Sequence, residues 1–339
     1  MIAQLFRVLD LAHEATLNGI PATKRDIYYQ DVPLFKKQKV VDTLVDDLAA
    51  TFQLERSDLN IRSSSKGLIC GSGLMITLIS GEIIYCHDSE GTLIPPGEDI
   101  ETFGIDEDVA WILVVEKEAV FQTLCRLQIS KHDSMLGPGI IITGKGYPDV
   151  ATRHVVKSLA SALPRSIPIL GLMDGDPFGL DILSVYKYGS RSMQHENDKL
   201  ATKRMKWVGI WASELDRLKI CKEHLLFITK HDEKKALSML RRKDVPMPKK
   251  WKKELQHMLH SRRKAEIEIL SSQQSHNADI PEETIGNLNA KGQYSVDHQG
   301  ISLEPKPESA QPQGLLLSYL ESKITEFVAE ARHIIVTKA

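Results

Sequence analysis

Ala110-Trp111-Ile112-Leu113-Val114-Val115 is an unbroken apolar run, and Glu116-Lys117-Glu118 ends it in charge. A strand with one wet face alternates apolar and polar residues. A strand that does not alternate is buried on both faces, as in a parallel sheet covered by helices. Ala119 to Leu124 then begins a helical pattern, and the same order recurs twice downstream. Ile140-Ile141-Ile142-Thr143 reads as a strand, Gly144-Lys145-Gly146-Tyr147-Pro148 as a tight loop, and Val150 to Leu163 as a helix. Ile167 to Met173 reads as a third strand, leading into Asp174-Gly175-Asp176-Pro177-Phe178-Gly179. Strands alternating with helices predict an α/β domain with a mostly parallel sheet, whose functional loops lie at the C-terminal ends of the strands.

Glu116, Asp174 and Asp176 all fall at such ends. Residues two apart in extended backbone share a face, so Asp174 and Asp176 can address one ion. Gly175 lets the chain bend close to a ligand. Oxygen ligands without imidazole suit Mg²⁺, which keeps several waters and takes substrate phosphate oxygens. Alone, Asp-Gly-Asp is more often a turn than a metal site. The strand-ending Glu116 two units earlier is what favours the metal.

Working back towards the N-terminus, Leu5, Val8, Leu9, Leu11 and Ala12 recur at helical spacing, and Asn18-Gly19 closes that helix. Thr23, followed three residues later by Asp26, predicts a capped helix start. The short helix after it carries Arg25, Tyr28 and Tyr29. A turn through Asp31-Val32-Pro33 leads to a third helix from about Leu34 to Phe52, with Lys36 and Lys37 in its first turns. Two β-like runs, Leu59 to Ile61 and Leu68 to Ile69, flank a polar tip holding Arg62 and Lys66. Three helices and a hairpin predict a winged-helix DNA-binding domain. The same pattern also fits an ordinary helical domain with a solvated lysine face. No Arg/Asn/Gln set lines one face of the third helix, so backbone contact is expected rather than sequence readout. Ile76 to Ile79 and Glu82 to Cys86 form a further strand pair around Ser80-Gly81, and His87 to Gly104 reads as a linker or long loop.

Downstream, the basic runs at Arg241 to Lys243 and Lys249 to Lys253 suit a solvated face better than a localisation signal or DNA contact. Trp251 to Leu270 has helical periodicity, and Leu315 to Val328 resumes an amphipathic helix. Between them Ser271 to Gly314 is rich in Ser, Gln, Asn, Pro and Glu, which predicts a disordered insertion. Across 339 residues, 43 Lys+Arg against 45 Asp+Glu leave a net charge of -2, so DNA contact must come from local patches. Cys70, Cys86, Cys125 and Cys221 lack paired spacing, which predicts reduced thiols and no zinc site. There is no signal-peptide pattern, and no apolar run approaches the roughly 20 residues of a membrane span. A soluble nuclear or cytosolic protein is expected.

Thr23-Lys24-Arg25-Asp26-Ile27-Tyr28-Tyr29, Val115-Glu116-Lys117-Glu118-Ala119-Val120-Phe121, Gly144 to Asp149 and Asp174 to Gly179 together resemble the meiotic double-strand-break transesterase family. These are the eukaryotic relatives of the topoisomerase VI A-type chain. The likeness runs from near residue 5 to about residue 270, with a weaker echo in the final helix. It implies a winged-helix domain carrying the nucleophile over 1–86 and a Toprim domain holding Mg²⁺ over 87–270. The insertion at 271–314 and a C-terminal helix at 315–339 complete the chain. By position, Tyr29 matches the catalytic tyrosine, Arg25 the arginine near it, and Glu116, Asp174 and Asp176 the acidic set. Tyr28 matches an aromatic expected to be packed. Lys24, Lys36, Lys37, Arg62, Lys66 and Lys145 are the candidate contacts to DNA. The resemblance further implies double-stranded DNA as substrate, a nuclear location, a homodimer when cutting, and a topoisomerase VI B-like partner with other meiotic break factors. Members generally carry an N-terminal extension that engages that partner, whereas this chain starts almost at the first motif helix.

A phenol with a solution pKa near 10 is a weak nucleophile at neutral pH, so in-line placement and proton removal must supply its reactivity. The resemblance implies that Tyr29 ends on the DNA 5′ end and leaves a 3′ hydroxyl. Two other readings stay open from the residues: a Toprim hydrolase needing the acids but not Tyr29, and a DNA-binding regulator that never cuts.

Overall fold

In the computed structural model, which describes residues 1–62, 64–242, 247–272 and 314–336, the N-terminal unit is helical. Helix α1 (Ile2–Asn18) turns Val8, Leu11 and Ala12 inward and ends at Gly19 in the left-handed conformation. A two-residue strand, β1 (Ala22–Thr23), leads into α2 (Lys24–Gln30). The expected third helix is broken in two. α3 (Val32–Phe35) is followed by left-handed Lys36 and extended Lys37 before α4 (Gln38–Phe52) begins. The break lets Phe35 drop into the core while α4 presents Val41 and Val45 to the same cluster, joined by Ile27 and Ile61.

The hairpin expected between residues 59–61 and 68–69 does not form. β2 (Ile61–Arg62) pairs in parallel with β1. β3 (Leu68–Cys70) instead pairs with a strand of the large sheet more than 70 residues on, Ile69 opposite Ile142 and Cys70 opposite Ile141. Ile69 and Cys70 are fully buried there, a burial that an exposed hairpin cannot give. β4 (Leu74–Leu78) and β5 (Ile83–Tyr85) pair antiparallel as expected. The stretch read as a linker contains β6 (Thr92–Leu93), on the far side of β3, and β7 (Ile100–Ile105), on the free side of β4.

The main sheet then follows: β8 (Trp111–Val115), α5 (Glu118–Arg126), β9 (Gly139–Thr143), α6 (Val150–Ala162), β10 (Ile169–Leu172), α7 (Pro177–Tyr188), α8 (Asn197–Leu200) and β11 (Lys206–Gly209). Its order is β11-β10-β8-β9-β3-β6, with the first four strands parallel. The apolar runs split by parity between two cores. Ile112, Val114, Ile140 and Ile142 pack against α6 and α7, whereas Trp111, Leu113 and Val115 face α5 and the C-terminal helix. Each such side chain contributes about 1.5–3 kcal/mol on burial, so both faces demand apolar residues and alternation disappears.

β12 (Leu226–Phe227), α9 (Lys230–Leu240) and α10 (Lys249–Ser261) follow. The helix expected through Leu270 stops at left-handed Arg262. β13 (Arg263–Lys264) then pairs with β12, and the chain passes beside Gly175 to α11 (Ile269–Ser272). Residues 273–313 of the expected insertion lie outside the described residues, as do Ser63 and 243–246. α12 (Gly314–Val336) buries Leu316, Leu320, Ile324 and Val328 in the second core. Its Lys323 reaches Glu214 at 2.7 Å, and the Tyr319 hydroxyl donates to Glu214 and to the Val208 carbonyl, all out of water. Among the described residues no helix is long and apolar enough to cross a membrane. Cys70, Cys86 and Cys125 are buried free thiols, and Cys221 is exposed.

Candidate catalytic tyrosine and acidic cluster

Glu116 extends β8 by one residue, its amide donating to the Leu172 carbonyl at the end of β10. One of its oxygens, Oε2, accepts the Asp174 amide at 2.9 Å. Asp174 Oδ1 accepts the Ile267 amide at 2.9 Å. Asp176 is not on an extended strand. It caps α7, its Oδ1 accepting from the Phe178 and Gly179 amides, each at 2.8 Å. A carboxylate there satisfies orphan amides and sits at the positive end of the helix dipole. Gly175 is tight against neighbouring backbone and pairs with Ala265 in an isolated bridge. At Gly179 a Cβ would lie 2.5 Å from the Asp174 carbonyl and 3.0 Å from Glu116 Oε2. Only glycine lets α7 come this close to both acids.

All three carboxylates are buried, with relative exposures of 9%, 6% and 8%. Burial, then the charges of Asp174 and Asp176, pushes the Glu116 pKa up to about 8. Burial also pushes Asp174 up to about 6, against the pull of the Ile267 amide and Lys117. Each acid retains one oxygen without a backbone donor. Lys117 Nζ lies 3.2 Å from Asp174 Oδ2, and Lys264 Nζ lies 3.2 Å from Asp176 Oδ2. Three mutually repelling buried carboxylates, each with a spare oxygen, form a donor set suited to a hard cation. Among the described residues, no group of three or more His, Cys, Asp or Glu side chains is arranged to enclose a metal.

Tyr29 is presented differently. Thr23 and Asp26 form a reciprocal capping box at the start of α2, and Ile27, 1% exposed, anchors the helix in the core. Tyr28 is half-buried against that core, and Tyr29, one position on, is turned out and 59% exposed. The Tyr28 ring lies 5.2 Å from the Tyr29 ring. The Arg25 guanidinium, one helical turn earlier, lies 5.7 Å from the same ring, and the phenol raises the Arg25 pKa. No hydrogen bond, ion pair or ring contact among the described residues joins Tyr29 to Glu116, Asp174 or Asp176.

The basic candidates divide in two. Lys24 is paired with Asp46, which Arg56 also contacts, and burial lowers its pKa. Arg62 is paired with Glu98 and Asp99, and Lys145 with Glu118. Lys36, Lys37 and Lys66 are exposed, and Lys66 Nζ also reaches the Lys145 carbonyl.

A family model for the Toprim domain of Spo11 and the A-type chain of topoisomerase 6 matches residues 111–279, and one described as "Type IIB DNA topoisomerase" matches residues 1–61. The chain is 39% identical over 269 residues to the Meiotic recombination protein rec12 of Schizosaccharomyces pombe, covering 79% of this chain and 73% of the relative. The chain belongs to the Spo11/topoisomerase 6 A-type family. It is also 38% identical to the Meiotic recombination protein SPO11 of Mus musculus over 79% of this chain, and to the A-type chain of DNA topoisomerase 6 of Arabidopsis thaliana over 78%. It spans 66% and 61% of those two relatives' lengths. Residues 111–279, matched by the first model, include Glu116, Asp174 and Asp176, and residues 1–61, matched by the second, include Tyr29.

Lys117, Gly179, Lys264 and Ile267 lie against the acidic cluster and are missed by reading the sequence. Asp176-Pro177-Phe178-Gly179 does carry a signal, since an acid before proline is a helix start. Nothing local places Ile267 or Lys264 beside an aspartate some 90 residues earlier.

Proposed function

We propose that this protein is a topoisomerase-like DNA transesterase that makes the double-strand breaks of meiotic recombination. The observation that carries the reading is Tyr29, exposed on a capped, core-anchored helix with Arg25 one turn away. The Tyr29 oxygen attacks phosphorus, the phosphorus–O3′ bond breaks, and the 3′ oxygen leaves as a hydroxyl. The phenolic proton passes to solvent, and a proton returns to the leaving oxygen. Arg25 pairs with the phosphate oxygens, which its planar fork matches. Glu116, Asp174 and Asp176 would hold Mg²⁺, which when bound supplies positive charge to the phosphate as negative charge builds on it. Lys36, Lys37 and Lys66 suit backbone contact with duplex DNA.

The separation of Tyr29 from the acidic cluster supports a two-fold dimer in which each tyrosine works with the acids of the other protomer. Two tyrosines are also what a double-strand break needs. A winged-helix reading of the N-terminal unit belongs to this proposal, with the antiparallel β4 and β5 as the wing in place of the 59–69 hairpin. So do the domain limits 1–86 and 87–270, a nuclear location and a topoisomerase VI B-like partner.

The test uses full-length protein, Mg²⁺, supercoiled DNA and the B-like partner, denatured in detergent. DNA that stays attached to protein through its 5′ ends until protease is added, and that disappears with Tyr29→Phe and with Glu116→Ala, is the expected result. Free ends that persist with Tyr29→Phe would replace the transesterase with a hydrolase.

A further inference from the structure

The lysines on the acidic cluster are placed in a way that charge neutralisation alone does not require. Asp174 and Asp176 each have one oxygen fixed by backbone amides and the other covered by an ammonium group. Neither ammonium belongs to its aspartate alone. Lys117 Nζ also lies 3.1 Å from Glu266 and 2.6 Å from Glu268. Lys264 Nζ also lies 3.1 Å from Asp232. Burial works against the charge on both lysines, yet the surrounding carboxylates outweigh it and raise both pKa values.

Resting on the reading that Glu116, Asp174 and Asp176 hold a divalent cation, we propose that Lys117 and Lys264 are exchangeable counter-cations of that site. Without the ion they cover Asp174 Oδ2 and Asp176 Oδ2 and keep the repelling carboxylates together. When the ion arrives they retreat, Lys117 onto Glu266 and Glu268, Lys264 onto Asp232. Each lysine gives up one contact and keeps another, so no ammonium is left buried and unpaired. The two retreats differ in stiffness. Glu266 and Glu268 are nearly half exposed and free to follow Lys117. Asp232 is 2% exposed and held by the Thr229 capping box, so it is a fixed acceptor. The segment that carries Lys264, Glu266 and Glu268 also carries the Ile267 amide that orients Asp174, so one short segment both positions the ligand and supplies partners for the exchange.

Binding of Mn²⁺ to the full-length protein, followed by calorimetry and by the loss of free-ion paramagnetic signal, tests this without reference to cleavage. Lys117→Met and Lys264→Met should each tighten Mn²⁺ binding by roughly tenfold, because ammonium and metal compete for one oxygen. Lys117→Arg keeps the charge and should stay near wild type. Glu266→Gln with Glu268→Gln should weaken binding in the wild type, since Lys117 loses its retreat, and have little effect when Lys117 is already Met. A purely long-range field would weaken binding equally in both backgrounds, and that equality would overturn the exchange. So would unchanged affinity in both lysine variants. To exclude misfolding, Lys117→Met should melt lower than wild type without Mn²⁺ and recover with it. Wild-type protein that binds no Mn²⁺ would remove the metal reading itself, a result distinct from a metal-binding wild type with indifferent lysines.

Discussion

Tyr29 and the acidic cluster are built on opposite plans within one chain. Tyr29 stands on the surface of α2, its ring contacts being Tyr28 and Arg25, and little of the fold leans on it. Glu116, Asp174 and Asp176 are buried, each tied by backbone amides, and Asp176 begins a core helix. A nucleophile that must meet a long polymer gains from reach. A charge cluster gains from dipoles fixed before the substrate arrives, because reorientation during reaction is costly. On the proposed function, chemistry and stability are therefore separable at Tyr29 and fused at the cluster.

The largest effect that can break this contrast comes from mixed dimers. Tyr29→Phe and Glu116→Gln chains, each inactive alone, should together regain one composite site and nick supercoiled plasmid with protein attached to the nick. A mixed dimer that cuts neither strand would place tyrosine and acids in the same protomer. Next, Gly179→Ala should destabilise the protein by about 1–3 kcal/mol through overpacking against Asp174. Tyr29→Phe should stay within about 0.5 kcal/mol in the same denaturant melts, as surface substitutions do. Equal losses would erase the distinction. Asp176→Ala should cost roughly 0.5–2 kcal/mol as a lost cap, and Asp176→Asn, which can still accept the Phe178 and Gly179 amides, much less. Both should weaken divalent-ion binding, which separates capping from charge. At Thr23→Ala, losing the capping box should cost about 1 kcal/mol and slow cleavage only modestly by loosening α2, with DNA binding retained.

Legibility in the sequence follows the range of the interaction. The strands at 111–115, 139–143 and 169–172 can be read because burial on both faces leaves a local mark, an apolar run without alternation. Their C-terminal ends locate Glu116, Asp174 and Asp176 for the same reason, and the structure brings these three together. Thr23 with Asp26 is a signal contained in four residues. By contrast, Leu68–Cys70 is short and its partner strand is far along the chain, so its nearest β-like neighbour looks like its mate. The ion pair of Lys24 with Asp46 cannot be read from the sequence because Asp46 lies a helix away. The break at Lys36 and the stop at Arg262 both use left-handed backbone at a basic residue, which composition does not announce.

The position of α12 has a consequence for how the protein is made. This helix covers one face of the main sheet and seals Glu214 beneath its own Tyr319, yet it follows every other described element in the chain. Chains emerge from the ribosome N-terminal end first. The sheet therefore waits, with Leu113, Val115 and Val208 uncovered, until residues 314–336 have been synthesised and have folded back. Through that interval the nascent chain carries an adhesive apolar surface, so premature termination anywhere before Leu316 should send it to chaperones and proteases rather than to DNA.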